Sequence, residues 1–150
     1  MYTIEEYDKE KTKVLKYLFY KKRTEKEIIT KFKTTIAEEI LEDIIEELKE
    51  NGYINDKNYI ERAINEFIAL KNLSIKEIKY KLISKGISNR LLEEYINDNE
   101  EEINEYEKKS AENIVLKKSV NMDETEIKMY LMKKGYKEES ISYALDKLEE

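Results

Sequence analysis

Three glycines and no proline punctuate this chain of 150 residues, and the glycines recur in one setting. "LKENGY" contains Gly52, "KLISKGI" contains Gly86 and "YLMKKGY" contains Gly135. Four residues before each stands a leucine (Leu48, Leu82, Leu131), and the next residue is apolar (Tyr53, Ile87, Tyr136). A Schellman ending has this pattern, with glycine in the left-handed conformation and a hydrophobic contact across the turn. The spacing predicts helices that stop at Gly52, Gly86 and Gly135, where a side chain would be strained at positive φ.

Aligning the glycines exposes a repeat. "SIKEIKYKLISKGISNRLLEEYI" (74–96) and "DETEIKMYLMKKGYKEESISYAL" (123–145) match at Ile78/Ile127, Leu82/Leu131 and Ile96/Leu145. An earlier copy, "TEKEIITKFKTTIAEEILEDII" (24–45), is one residue shorter near its turn. Each copy opens with a cap residue three positions before a glutamate: Thr24–Glu27, Ser74–Glu77 and Asp123–Glu126. That spacing lets each side chain satisfy an orphan backbone N–H of the other, a capping box. A leading helix precedes each pair. Val14, Leu15, Leu18 and Phe19 form the first stripe and Tyr59, Ile60, Ala63, Ile64 and Phe67 the second. Ile103, Tyr106, Ala111, Ile114 and Val115 form a vaguer third, and Asp56 is placed to cap the second leading helix. The reading is all-α: three tandem three-helix repeats, 1–53, 54–98 and 99–150, with "NDNEEE" (97–102) either a linker or the start of a helix.

Composition agrees: 41% charged and 40% apolar residues favour helices and a folded chain. No apolar run exceeds four residues, as in "YLFY" and "FIAL", so no membrane span is expected. The first residues lack a secretory pattern and cysteine is absent, so the cytoplasm is expected. Without cysteine or histidine, the usual structural zinc ligands and the Ser–His and Cys–His pairs are gone. "NDNEEEINE" lacks the glycine that an EF-hand loop needs. No enzyme activity, cofactor or metal is expected.

The formal charge of −6 hides a polarised distribution. Residues 9–33 carry ten Lys/Arg against three acids, and 38–50 carry one against seven. Residues 71–90 carry six against one, and 91–107 none against eight. Residues 108–137 carry eight against four, and 138–150 one against five. Leading and middle helices are basic and third helices acidic. Helix dipoles ask for acid first and base last within one helix, not for entire helices of one sign. The alternation therefore points to a basic stripe that follows a polyanion or the groove of an acidic assembly. Tyr17, Tyr20 and Tyr80 stand beside basic residues, where aromatics stack on unpaired bases, although packing is the commoner role.

"YLFYKKRTEKEI" (17–28), "LKENGYINDKNYIERAI" (48–64), "IKYKLISKGIS" (78–88) and "LMKKGY" (131–136) resemble the RecX family of bacterial recombination regulators. The likeness covers essentially the whole chain and is most specific from Gly52 to Gly86. It implies an elongated, curved array of three-helix repeats that binds RecA–DNA filaments. Such binding would limit filament growth, ATP hydrolysis, strand exchange and repressor cleavage. Lys21 and Arg23 fall on the basic places of the family's Y-L-x-x-R-x-R opening. Gly52, Asp56 and Tyr59 fall on its G-Y-x-x-D-x-x-Y/F segment, and Lys85, Gly86 and Ile87 on its K-G-I turn. "KNLS" (71–74) departs from a K-G-P-like sequence, and the chain is acidic for the family, so RecA contact is implied more strongly than DNA contact.

The residues expected to meet the partner are Lys21, Lys22, Arg23, Lys71, Lys79, Lys85 and Arg90, with Gly52, Gly86 and Gly135 serving shape. The expected partners are a RecA filament and weak or RecA-dependent contact with DNA, and the expected state is a monomer. The alternatives are a helix-turn-helix transcriptional regulator and a protein scaffold without nucleic acid. Against the former, the helix after each turn is acidic where a recognition helix should be basic or polar.

Overall fold

The computed structural model describes residues 1–149; position 150, last of the acidic run 138–150, lies outside the described residues. Nine α-helices make up the described chain. They are α1 (Ile4–Tyr20), α2 (Glu25–Phe32), α3 (Glu38–Glu50), α4 (Asp56–Leu70), α5 (Ile75–Ser84), α6 (Asn89–Asp98), α7 (Glu100–Lys118), α8 (Glu124–Lys134) and α9 (Glu138–Glu149).

Local chemistry sets the helix ends. Thr24, Ser74 and Asp123 cap α2, α5 and α8, each in a complete capping box with the glutamate three residues on. Gly52, Gly86 and Gly135 take φ of +79°, +97° and +94°. Behind each, two backbone bonds close the turn: Tyr53 N–H to Leu48 O, Ile87 N–H to Leu82 O and Tyr136 N–H to Leu131 O, each paired with a bond from the glycine N–H.

Burial gathers the helices in threes. Val14, Leu18, Ile28, Phe32, Ile44 and Leu48 of α1–α3 form one core. Ile60, Ile64, Ile78, Leu82 and Leu92 of α4–α6 form the next, joined by Tyr106 from α7. Ala111, Val115, Ile127, Leu131, Ile141 and Leu145 of α7–α9 form the third. Helix α7 thus serves two cores.

Two details differ from the sequence reading, and of its two readings of "NDNEEE" the start of a helix holds. "NDNEEE" is no linker: only Asn99 separates α6 from α7, and Glu100, Glu101 and Glu102 form the first turn of α7, where acids complement the helix dipole. Asn55, not Asp56, caps α4, its side chain accepting from Asn58 N–H; Asp56 is turned to another helix. Phe19 lies outside its stripe's core, exposed and edge-on to Tyr53.

Candidate binding grooves at the joints between helix groups

The helix groups meet through a joint that is built twice from equivalent residues. Thr24 and Ser74 are fully buried. Each hydroxyl accepts from its capping-box N–H at 3.1 Å and donates to a carbonyl of the next group: Thr24 to Lys85 O at 2.6 Å, Ser74 to Lys134 O at 2.8 Å. The following backbone N–H finds a carboxylate on the next group's leading helix. Glu25 N–H donates to Asp56 at 2.9 Å and Ile75 N–H to Glu107 at 2.8 Å. The glycine turns lie against the same joints. A Cβ on Gly86 would sit 2.5 Å from Lys26 Cβ, and one on Gly135 would sit 2.8 Å from Lys76 Cδ.

The two joint carboxylates differ. Glu107 is fully buried and accepts three bonds, from Ile75 N–H, Lys137 N–H at 3.0 Å and Ser140 Oγ at 2.8 Å. Asp56 is half-buried, and burial raises its carboxyl above the usual range, partly offset by the Glu25 N–H bond. A raised folded-state value makes protonation favour the fold. The contribution is full below the ordinary value and is lost as pH rises through the folded one. Asp56→Asn keeps an acceptor for Glu25 N–H but cannot ionise. Its stability relative to the native chain is expected to rise as pH is raised from below the ordinary aspartate range to above the folded-state value, measured as urea midpoints with unchanged slope. A constant difference over that range would exclude Asp56 as the source.

A cavity opens beside each joint. The one beside the first is ≈ 370 Å³, bordered by Tyr17, Lys26, Lys31, Ser84, Lys85 and Gly86 among others. Beside the second is a cavity of ≈ 850 Å³ between α4, α5 and α8, bordered by Lys76, Lys81, Lys85, Lys133 and Lys134. Ser84 and Lys85 border both, so the cavities abut. Lys26, Lys76, Lys81, Lys85 and Lys133 have no ion-pair partner among the described residues. Cations not paired with a carboxylate remain available to an acidic partner.

Of the seven cations expected to meet a partner, Lys85 alone borders these cavities. Lys79 pairs with Glu93 at 3.1 Å and Arg90 with Glu94 at 3.3 Å. The Arg23 guanidinium covers the Tyr17 ring at 3.9 Å, and its Nε is buried without a hydrogen-bond partner. Lys21 and Lys22 are exposed beyond α1, and Lys71, at φ +50°, ends α4. Tyr17 is half-buried against Phe32, whereas Tyr20 and Tyr80 are exposed. Sequence reasoning missed Lys26, Lys31, Lys76, Lys81, Lys133 and Lys134. A signal was there: lysine stands two and seven residues after the cap in two copies (Lys26/Lys76, Lys31/Lys81) and before the glycine in two (Lys85/Lys134).

These features define an all-α protein of helix triplets, jointed through buried caps, with cationic cavities at the joints. No family model matches the sequence. The regulatory protein RecX of Finegoldia magna is 39% identical over 124 residues, 81% of this chain and 56% of the relative. That of Lactococcus lactis is 32% identical over 150 residues, 93% of this chain and 55% of the relative. The crystal structure of RecX from Lactobacillus salivarius superposes with a TM-score of 0.81 at 27% identity, covering 98% of this chain and 99% of that one. The chain belongs to the RecX family. It spans about half the length of the curated relatives it matches.

Proposed function

We propose that the chain is a regulator of RecA filaments that docks along them through cations at successive joints, limiting ATP hydrolysis and strand exchange. The observation that carries the reading is the doubled joint, which repeats unpaired lysines at two sites on one body. A polymer presents its binding sites at intervals. A body with several weak contacts therefore leaves a filament slowly while holding a single subunit poorly. In this reading the helix groups 1–53, 54–98 and 99–150 act as successive units, and Lys21, Lys22, Arg23, Lys71, Lys79, Lys85 and Arg90 contribute alongside the cavity lysines. Direct DNA contact is secondary, and the chain works as a monomer in the cytoplasm.

The test is single-stranded-DNA-dependent ATP hydrolysis by the cognate RecA with substoichiometric amounts of this protein. Inhibition is expected, and Lys85→Glu with Arg90→Glu should raise the concentration needed by about tenfold with helicity unchanged. Lys85→Glu should account for most of that change, because Arg90 is already paired with Glu94. Hydrolysis unaffected by the native protein would end the reading; inhibition that survives both reversals would end the surface assignment.

A further inference from the structure

The ≈ 850 Å³ cavity combines two properties that seldom meet on a solvated surface. Its wall includes Phe67, Leu82 and Ala63, which also pack on the core of α4–α6. Its border carries the unpaired Lys76, Lys81, Lys85 and Lys133; of its lysines, Lys134 alone has a carboxylate, Glu77 at 3.3 Å. Unpaired cations around an apolar recess form a site for a ligand that is anionic outside and apolar at its centre.

We propose that this cavity docks an acidic peptide segment of a partner protein, which inserts one aromatic or branched aliphatic side chain against Ala63 and Phe67 while its carboxylates meet the lysines. Three observations favour a peptide over a nucleic-acid strand. Glu66 stands in the lining without an ion-pair partner among the described residues, where it repels a continuous phosphate chain but can accept a peptide N–H group. Of the lining rings, Tyr80 is mostly exposed, at 75%, whereas Tyr59 and Phe67 are half-buried in their own core and offer no open face for successive bases. The apolar wall, Ala63 and Phe67, spans one turn of α4, which one inserted side chain covers and a run of stacked bases exceeds. The inference rests on the cavity and not on the RecA reading, and its test contains no RecA.

The probe is a fluorescein-labelled peptide of aspartate and glutamate around a central phenylalanine, followed by fluorescence anisotropy. Lys81→Glu with Lys133→Glu removes two exposed lysines from the border; Lys9→Glu with Lys16→Glu on α1 changes net charge equally, away from the cavity. Circular dichroism checks that both pairs keep the native helicity. The native protein is expected to bind the probe, with affinity reduced about tenfold or more by the cavity pair and little by the α1 pair. Replacing the probe's phenylalanine by alanine should cost about tenfold. Equal weakening by both pairs would reduce the effect to net charge and overturn the proposal. So would indifference to the phenylalanine, absence of binding, or tighter binding of an oligothymidylate of matching charge at the same lysines.

Discussion

Glu107→Ala is expected to remove about 3 kcal/mol or more of folding stability, a large share of the roughly 5–15 kcal/mol that holds a typical domain. The reason is what the carboxylate leaves behind. Ile75 N–H, Lys137 N–H and Ser140 Oγ all donate to it, in a site where Glu107 itself is fully buried. A buried donor deprived of its acceptor costs about 1–3 kcal/mol, and three would be stranded together. The negative charge is tolerated there without a cation, because the donor from Ile75 opens α5 and that from Lys137 immediately precedes α9. Two helix N-termini pointing at one carboxylate supply partial positive charge from both sides. Glu107→Gln separates the two contributions. The amide keeps one acceptor oxygen but turns an NH₂ towards a donor, so about half the loss is expected. Urea unfolding of the three proteins is the measurement. A loss below about 1 kcal/mol in the alanine variant would mean that water or a rearranged backbone replaces the carboxylate.

Glu107 also shows where sequence reasoning stopped. Helix ends were legible because their causes are local. A cap oxygen with a glutamate three residues later, or a glycine following a leucine by four, acts within one turn. The caps at Thr24, Ser74 and Asp123 and the positive φ at all three glycines stand in the structure as those local rules require. The joints depend on groups about 30 to 60 residues apart, such as Glu25 with Asp56 and Thr24 with Lys85, and no local rule reports them. Counting charge by segment placed Glu107 in an acidic run. Its helical phase, between Ile103, Tyr106, Ser110 and Ala111, places it on the buried face of α7. The cavity lysines were hidden in the same way. Segment totals register that 71–90 is basic, but they do not distinguish Lys79, matched by Glu93, from Lys81, matched by nothing among the described residues. Repeat position carries that distinction, because equivalent residues in successive copies meet the same joint.

Alanine at Gly86 is expected to cost clearly more than alanine at Gly52, although both glycines end a helix with the same pair of backbone bonds. Both lie at positive φ, +97° and +79°, where a side chain costs about 1 kcal/mol or more. At Gly52 that is the whole penalty, since an added Cβ would meet nothing within 4 Å. At Gly86 the Cβ would stand 2.5 Å from Lys26 Cβ. A Cβ cannot swing aside as the end of a lysine can, so α2 itself must move away from α5. Thr24, which reaches Lys85 O across the same gap at 2.6 Å, moves with it. A total of roughly 2–4 kcal/mol is expected at Gly86, from strain, overpacking and the weakened joint. Coupling identifies the joint as the cause. Thr24→Val removes the hydroxyl that bridges the groups, and once the gap has opened that hydroxyl has little left to lose. The double variant should therefore be more stable than the summed single losses require, by about 0.5 kcal/mol or more. Thr24→Val paired with Gly52→Ala should be additive. Equal losses at Gly52 and Gly86, or additivity in both pairs, would mean that the glycine turns serve only their own helices and that the groups are held together elsewhere.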